Sequence, residues 1–154
     1  FQDYSMKGRT YRYLTEEPLY PFGYGLSYTK FAYLSLEMPE KLSAGSDMDV
    51  KVRLKNEGDR EGAEVIELYL SGRPGDDQPI RSLCGFARVE LAPGEEREVS
   101  IHVPARAMLT VSQDSSRAVV PGHYCITAGG SQLDSRSLEL TQRDGVCGFF
   151  DIQS

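Results

Sequence analysis

From Lys30 onward, apolar and polar side chains exchange places with a period of two, in short segments separated by glycine, proline, asparagine and aspartate. Asp47 to Asn56 sets Met48, Val50, Val52 and Leu54 on one face and Asp49, Lys51, Arg53 and Lys55 on the other. That spacing predicts a half-buried strand with one solvated side. Lys30 to Met38 predicts another, alternating through Phe31, Tyr33 or Leu34, and Leu36 before Pro39 stops it. Ala63 to Leu70 is more continuously apolar and is expected inside a sheet. Ile80 to Leu91 is expected to bury Leu83, Phe86, Val89 and Leu91, and Glu98 to Val103 alternates through Val99, Ile101 and Val103. Ala105 to Val111 reads as a short strand or turn carrying Met108, Leu109 and Val111. His123 to Ala128 turns Tyr124 and Ile126 inward, and Ser135 to Leu140 supplies a last edge.

The intervening stretches have turn chemistry. Leu42 to Ser46, Asn56 to Gly62 and Ala92 to Glu96 are rich in residues that tolerate tight or left-handed backbone. Ser71 to Pro79 reads as a long exposed loop, a natural place for an external contact. The sum is seven or eight short strands with no long segment of helical period. The expected class is all-β, an immunoglobulin-like or fibronectin-type antiparallel sandwich.

The N-terminal part is different. Pro18 to Phe31 packs five aromatic residues, two prolines and two glycines into fourteen positions, so neither a regular helix nor a long strand fits it. Its rings call for burial, which sets it apart from a polar linker. They could cover one end of the chain's own core, meet a neighbouring domain, or do both. The expected organisation is an extended aromatic connector over residues 1–29, a sandwich over 30–141, and a tail over 142–154 that docks through Phe149, Phe150 and Ile152.

The 154 residues carry a formal charge of −6, with Lys and Arg scattered among acids, so nucleic acid and anionic membrane are poor partners. No apolar run approaches the roughly 20 residues that cross a bilayer. The first residues have neither an initiator Met nor the layout of a signal peptide, which suggests a piece of a longer chain. Cys84, Cys125 and Cys147 are odd in number and not closely spaced. They indicate neither a zinc site nor a disulfide framework, read best as thiols with Cys84 and Cys125 buried, and lean toward a reducing, cytoplasmic compartment.

Candidate chemistry is sparse. His102 falls on an outward face and His123 starts a strand, so both read as surface histidines. Gly23-Tyr24-Gly25 has no following helix and is a turn signal, not a phosphate cradle. The Asp76-Asp77 pair lacks the further spaced oxygen ligands of a calcium loop. With no Trp, and with tyrosines concentrated before residue 34, an independent sugar-binding face is disfavoured. No catalytic residues, cofactor or metal ligands are assigned.

Gly8-Arg9-Thr10-Tyr11-Arg12-Tyr13 and Leu19-Tyr20-Pro21-Phe22-Gly23-Tyr24-Gly25-Leu26-Ser27-Tyr28-Thr29-Lys30-Phe31 resemble the junction before the C-terminal domain of glycoside hydrolase family 3 enzymes, which include β-glucosidases and β-xylosidases. The resemblance continues through Lys55-Asn56-Glu57-Gly58, Gly62-Ala63-Glu64-Val65, Leu68-Tyr69-Leu70, Pro79 to Leu83 with Gly85-Phe86, Leu91-Ala92-Pro93-Gly94-Glu95, Pro121-Gly122-His123-Tyr124 and Gly129-Gly130-Ser131. It covers about Gly8 to Ser131. Cys84 departs from the polar or basic residue expected there, and the tail beyond Leu140 has no counterpart. Ser46-Asp47-Met48 looks only superficially like the family's nucleophile motif, since it begins a sandwich strand.

The resemblance implies a fibronectin type III-like domain without the catalytic pair, which in the family lies on a (β/α)₈ barrel and a following α/β sandwich. It implies that those two domains are the partners and that Tyr11, Tyr13, Tyr20, Phe22, Tyr24 and Tyr28 form the interdomain contact. The loop bearing Arg73, Asp76 and Asp77 is a candidate for the rim of the parent's substrate site. The competing readings are an independent module binding glycans or protein through that loop, and a structural spacer. The fold hosts all three jobs.

Overall fold

The structure is a computed structural model that describes residues 10–13, 19, 28–72, 81–111, 117–131 and 145–153. Its strands are β1 (Phe31–Glu37), β2 (Lys41–Ser43), β3 (Met48–Asn56), β4 (Gly62–Ser71), β5 (Arg81–Leu91), β6 (Glu96–Val103), β7 (Thr110–Val111), β8 (Arg117–Ala118), β9 (Gly122–Gly129) and β10 (Val146–Gln153). One sheet runs β1-β3-β6 and a second runs β2-β10-β9-β4-β5, while β7 and β8 form a separate ribbon. Inward side chains of the two main sheets merge into one apolar cluster, in which Val50, Val52 and Leu54 of β3 meet Ile66, Leu68 and Leu70 of β4 and Tyr124 and Ile126 of β9. This is the sandwich that the alternation calls for.

β3 follows its pattern to the end: Met48, Val50, Val52 and Leu54 are buried and the residues between them face out. Two other strands change phase partway. In β1 the pairing with β3 skips a residue between Tyr33 and Ser35, so Tyr33 is buried and Leu34 is exposed. In β5 the pairing with β4 skips between Gly85 and Leu83, leaving Cys84 as the extra residue of a bulge. The bulge inverts the alternation, which corrects the expected core. Cys84, Val89 and Leu91 are buried, Leu83 is half-buried, and Phe86 is 69% exposed. Val65 on β4 likewise faces out, at 42% exposed.

Ala105–Met108 is a 3-10 helix that leads into β7 and buries Met108 completely. The edge expected over Ser135 to Leu140 lies outside the described residues. The segment read as a docked tail holds β10, an interior strand antiparallel to β9 and parallel to β2. Phe150 and Ile152 enter the core while Phe149 points out at 75% exposure. Gly148 of β10 is where the end of β1 crosses the core. A Cβ there would stand 2.7 Å from Met38 Cε and 2.8 Å from Leu36 Cδ2.

Candidate interdomain face

The connector is fixed to the sandwich at Thr29. Its hydroxyl donates 2.7 Å to Asn56 Oδ1, and the same oxygen accepts from the Gly58 amide at 3.0 Å. Asn56 Nδ2 donates to the carbonyls of Arg60 (2.7 Å) and Leu91 (3.0 Å). All four hydrogen bonds available to that carboxamide are therefore made, in a side chain with no exposed surface. A Cβ on Gly58 would stand 2.0 Å from Thr29 Oγ1, so glycine is what leaves room for the threonine. Asn56 reads in sequence as a turn residue, whereas it ties together the connector, the loop after β3 and the end of β5.

Alternation on β4 sends Ile66, Leu68 and Leu70 into the core and Val65, Glu67, Tyr69 and Ser71 to the outside of the five-stranded sheet. Pairing then draws a map of that outer surface. Phe149, Cys125, Ser71 and Arg81 form one row, and Cys147, Thr127, Tyr69 and Leu83 the next. Gly129, Glu67 and Phe86 form a third. Tyr69 at the centre belongs outside the main core, yet it is only 2% exposed.

Tyr11 lies against it. Its ring meets Tyr69 edge-on, with centroids 6.5 Å apart and planes at 77°, and its hydroxyl accepts a long 3.5 Å hydrogen bond from the Leu83 amide. Around this covered centre, Phe86, Phe149 and Val65 stay exposed.

Burial of Tyr69 also shapes the local charge. Its hydroxyl donates 2.6 Å to Glu67 Oε2. Burial pushes the Glu67 carboxyl up, against the lowering effect of that hydrogen bond. The Tyr69 hydroxyl is raised above its ordinary range, by burial first and then by its bond to Glu67.

Of the residues singled out in sequence, Tyr11 sits on this face and Tyr13 is half-buried, its amide donating 2.9 Å to the Thr10 carbonyl. Tyr28 is 95% exposed. Tyr20, Phe22, Tyr24, Arg73, Asp76 and Asp77 lie outside the described residues. His102 and His123 are surface residues, His102 set between Asp49 (3.0 Å) and Asp47 (3.4 Å) and His123 against Asp151. Among the described residues no group of three or more His, Cys, Asp or Glu could hold a metal ion, and no helix is long and apolar enough to cross a membrane.

A profile of the fibronectin type III-like domain matches residues 64–132. The xylan 1,4-beta-xylosidase of Xylanibacter ruminicola is 35% identical over 142 residues, covering 92% of this chain and 16% of that protein. A probable beta-glucosidase D of Aspergillus flavus is 37% identical over 147 residues, covering 82% of this chain and 20% of that protein. Among solved structures, the beta-glucosidase from Listeria innocua in complex with glucose superposes with a TM-score of 0.77 at 29% identity, over 99% of this chain and 21% of that one. The chain thus spans about a fifth or less of the length of these relatives. It belongs to the fibronectin type III-like C-terminal region of glycoside hydrolase family 3, the family of β-glucosidases and β-xylosidases.

Proposed function

We propose that this domain is a non-catalytic accessory part of a family 3 β-glycosidase and that it docks on the catalytic barrel and α/β sandwich of its parent. The parent in this reading hydrolyses terminal β-linked sugars, most simply as a β-glucosidase. The observation that carries the docking is the outer face of the five-stranded sheet, where the connector residue Tyr11 covers Tyr69 while Phe86 and Phe149 stand exposed around it. Tyr11, the connector residue on that face, supports a docking surface there. The reaction itself, a two-step displacement between two carboxyl groups about 5 Å apart, belongs to the parent's other domains. The relatives' names support the choice of sugar class, since they include a xylosidase and glucosidases.

The test is recombination of this chain with the parent's catalytic portion expressed without it. The chain alone should leave p-nitrophenyl β-glycosides intact, and the mixture should regain activity and thermal stability. The Phe86→Asp/Phe149→Asp variant, altered at two exposed positions, should fold normally and bind the catalytic portion at least about tenfold more weakly. Turnover by the chain alone would refute the accessory role, and undiminished binding by the double variant would refute the face.

A further inference from the structure

β9 and β10 pair so that Phe149 lies opposite Cys125 and Cys147 opposite Thr127. Cys125 and Cys147 are therefore diagonal neighbours on the outside of the sheet, because Tyr124, Ile126, Phe150 and Ile152 take the inward positions. Their side chains are near enough for Cys147 to act on the Cys125 thiol. Cys147 is exposed and Cys125 half-buried, so the pair opens to solvent through Cys147. Cys84 has a separate role, pointing into the core and donating 3.3 Å to the Leu68 carbonyl. In sequence these cysteines show no pairing, and only the meeting of β9 with β10 creates it.

We infer that Cys125 and Cys147 form an oxidisable dithiol whose co-reactant is a low-molecular-weight disulfide. The Cys147 thiolate attacks one sulfur of that disulfide, forming a mixed disulfide and releasing a thiolate that takes up a proton. Cys125 then gives up its proton, and its sulfur attacks the Cys147 sulfur, which expels the second small thiol. The net change oxidises two cysteine thiols to one disulfide and reduces the small disulfide to two thiols. The order follows from the surroundings. Cys147 is the exposed thiol, whereas Cys125 is half-buried and its thiol is pushed up by burial first and then by the neighbouring Cys147, so Cys147 enters the mixed disulfide before Cys125 reacts. The product ties β10 to β9 directly beside Phe149. This inference stands independently of the docking proposal.

The experiment treats the folded 154-residue chain with excess glutathione disulfide at mildly alkaline pH and follows intact mass and mapped peptides. The free-thiol count should fall from three to one per chain, with a Cys125–Cys147 cross-link and no glutathione retained. Cys125→Ser should stop at a glutathionyl group on Cys147, and Cys147→Ser should leave Cys125 largely unmodified over the same time. Accumulation of a glutathionyl group on wild-type Cys147 beside a free Cys125 would overturn the inference. So would a cross-link that includes Cys84.

Discussion

On the outside of the three-stranded sheet, Lys51 and Arg53 reach Glu98 at 3.6 and 3.7 Å, and Arg53 also reaches Glu96 at 3.7 Å. On the outside of the five-stranded sheet, the corresponding positions carry Tyr69, Leu83, Phe86, Cys125, Cys147 and Phe149, with Glu67, Ser71, Arg81 and Thr127 among them. Both surfaces arise from side chains alternating across extended strands, and both lie one residue away from the common core. They differ in what their side chains need. The charged lattice is satisfied by water and by itself, with its partners about half exposed. The aromatic surface is satisfied only where something lies across it, as Tyr11 does over Tyr69. The comparison therefore separates a face whose charges are met by one another from a face that leaves Phe86 and Phe149 exposed around a covered ring.

The strongest way to break it is Tyr69→Ala. If the connector and Tyr69 form a second, smaller core outside the sheet, removing the ring should cost about 3 kcal/mol, as for other buried aromatic truncations. Urea unfolding of the 154-residue chain measures this directly. A loss below about 1 kcal/mol would mean that Tyr69 gains little from its cover.

A smaller effect sharpens the electrostatic side. Glu67 has a folded pKa raised above the ordinary 4.5, so the native state binds its proton more tightly than the unfolded chain does. Its contribution favours folding in acid and is lost as pH rises through the folded value. Glu67→Gln, which keeps an acceptor for Tyr69, should be more stable than the parent chain at pH 7 by less than about 1 kcal/mol, because the site is partly solvated. The gain should shrink as pH falls toward 4.5. Glu95 has the opposite sign. Its carboxylate accepts 2.8 Å from the Ala92 amide and pairs with Arg97, and both lower its pKa. Glu95→Gln should therefore weaken the fold at neutral pH, with the difference disappearing in acid. Thermal unfolding across pH 3–8 would show both slopes, and parallel slopes would contradict the assignment.

The smallest effect belongs to the charged face. Arg53→Ala should change stability by no more than about 0.5 kcal/mol, because both of its ion pairs are solvated. A loss several times larger in the same urea titration would show that this face, too, is structural.

β3 was legible because each of its residues obeys a period that depends only on the strand itself. β5 was legible as a strand but not in phase, since one extra residue, Cys84, moved Phe86 from the expected core to the surface. β10 was hidden for a related reason. Cys-Gly-Phe-Phe breaks the alternation, and Gly148 gains its meaning only from Leu36 and Met38, which arrive from a distant strand. Aromatic density marked Pro18 to Phe31, of which Phe31 is buried and Leu19 and Tyr28 are exposed, whereas the ring on the outer face is that of Tyr11. Its partner Tyr69 read simply as one more residue of an apolar run, because a residue buried outside the sheet looks in sequence like one buried within it. Asn56 shows the same limit, its turn chemistry concealing a buried carboxamide that joins four backbone and side-chain partners.

By itself, then, the sequence determined the all-β class, most of the strands and the solvated side of β3, because side-chain alternation is a local property of extended backbone. It also marked the residues before the sandwich as needing a surface to cover them. The tertiary structure decided which outward face receives cover, which residues change phase at bulges, and which two cysteines meet. Those outcomes depend on chain segments far apart in sequence being brought into register, and no local period encodes that.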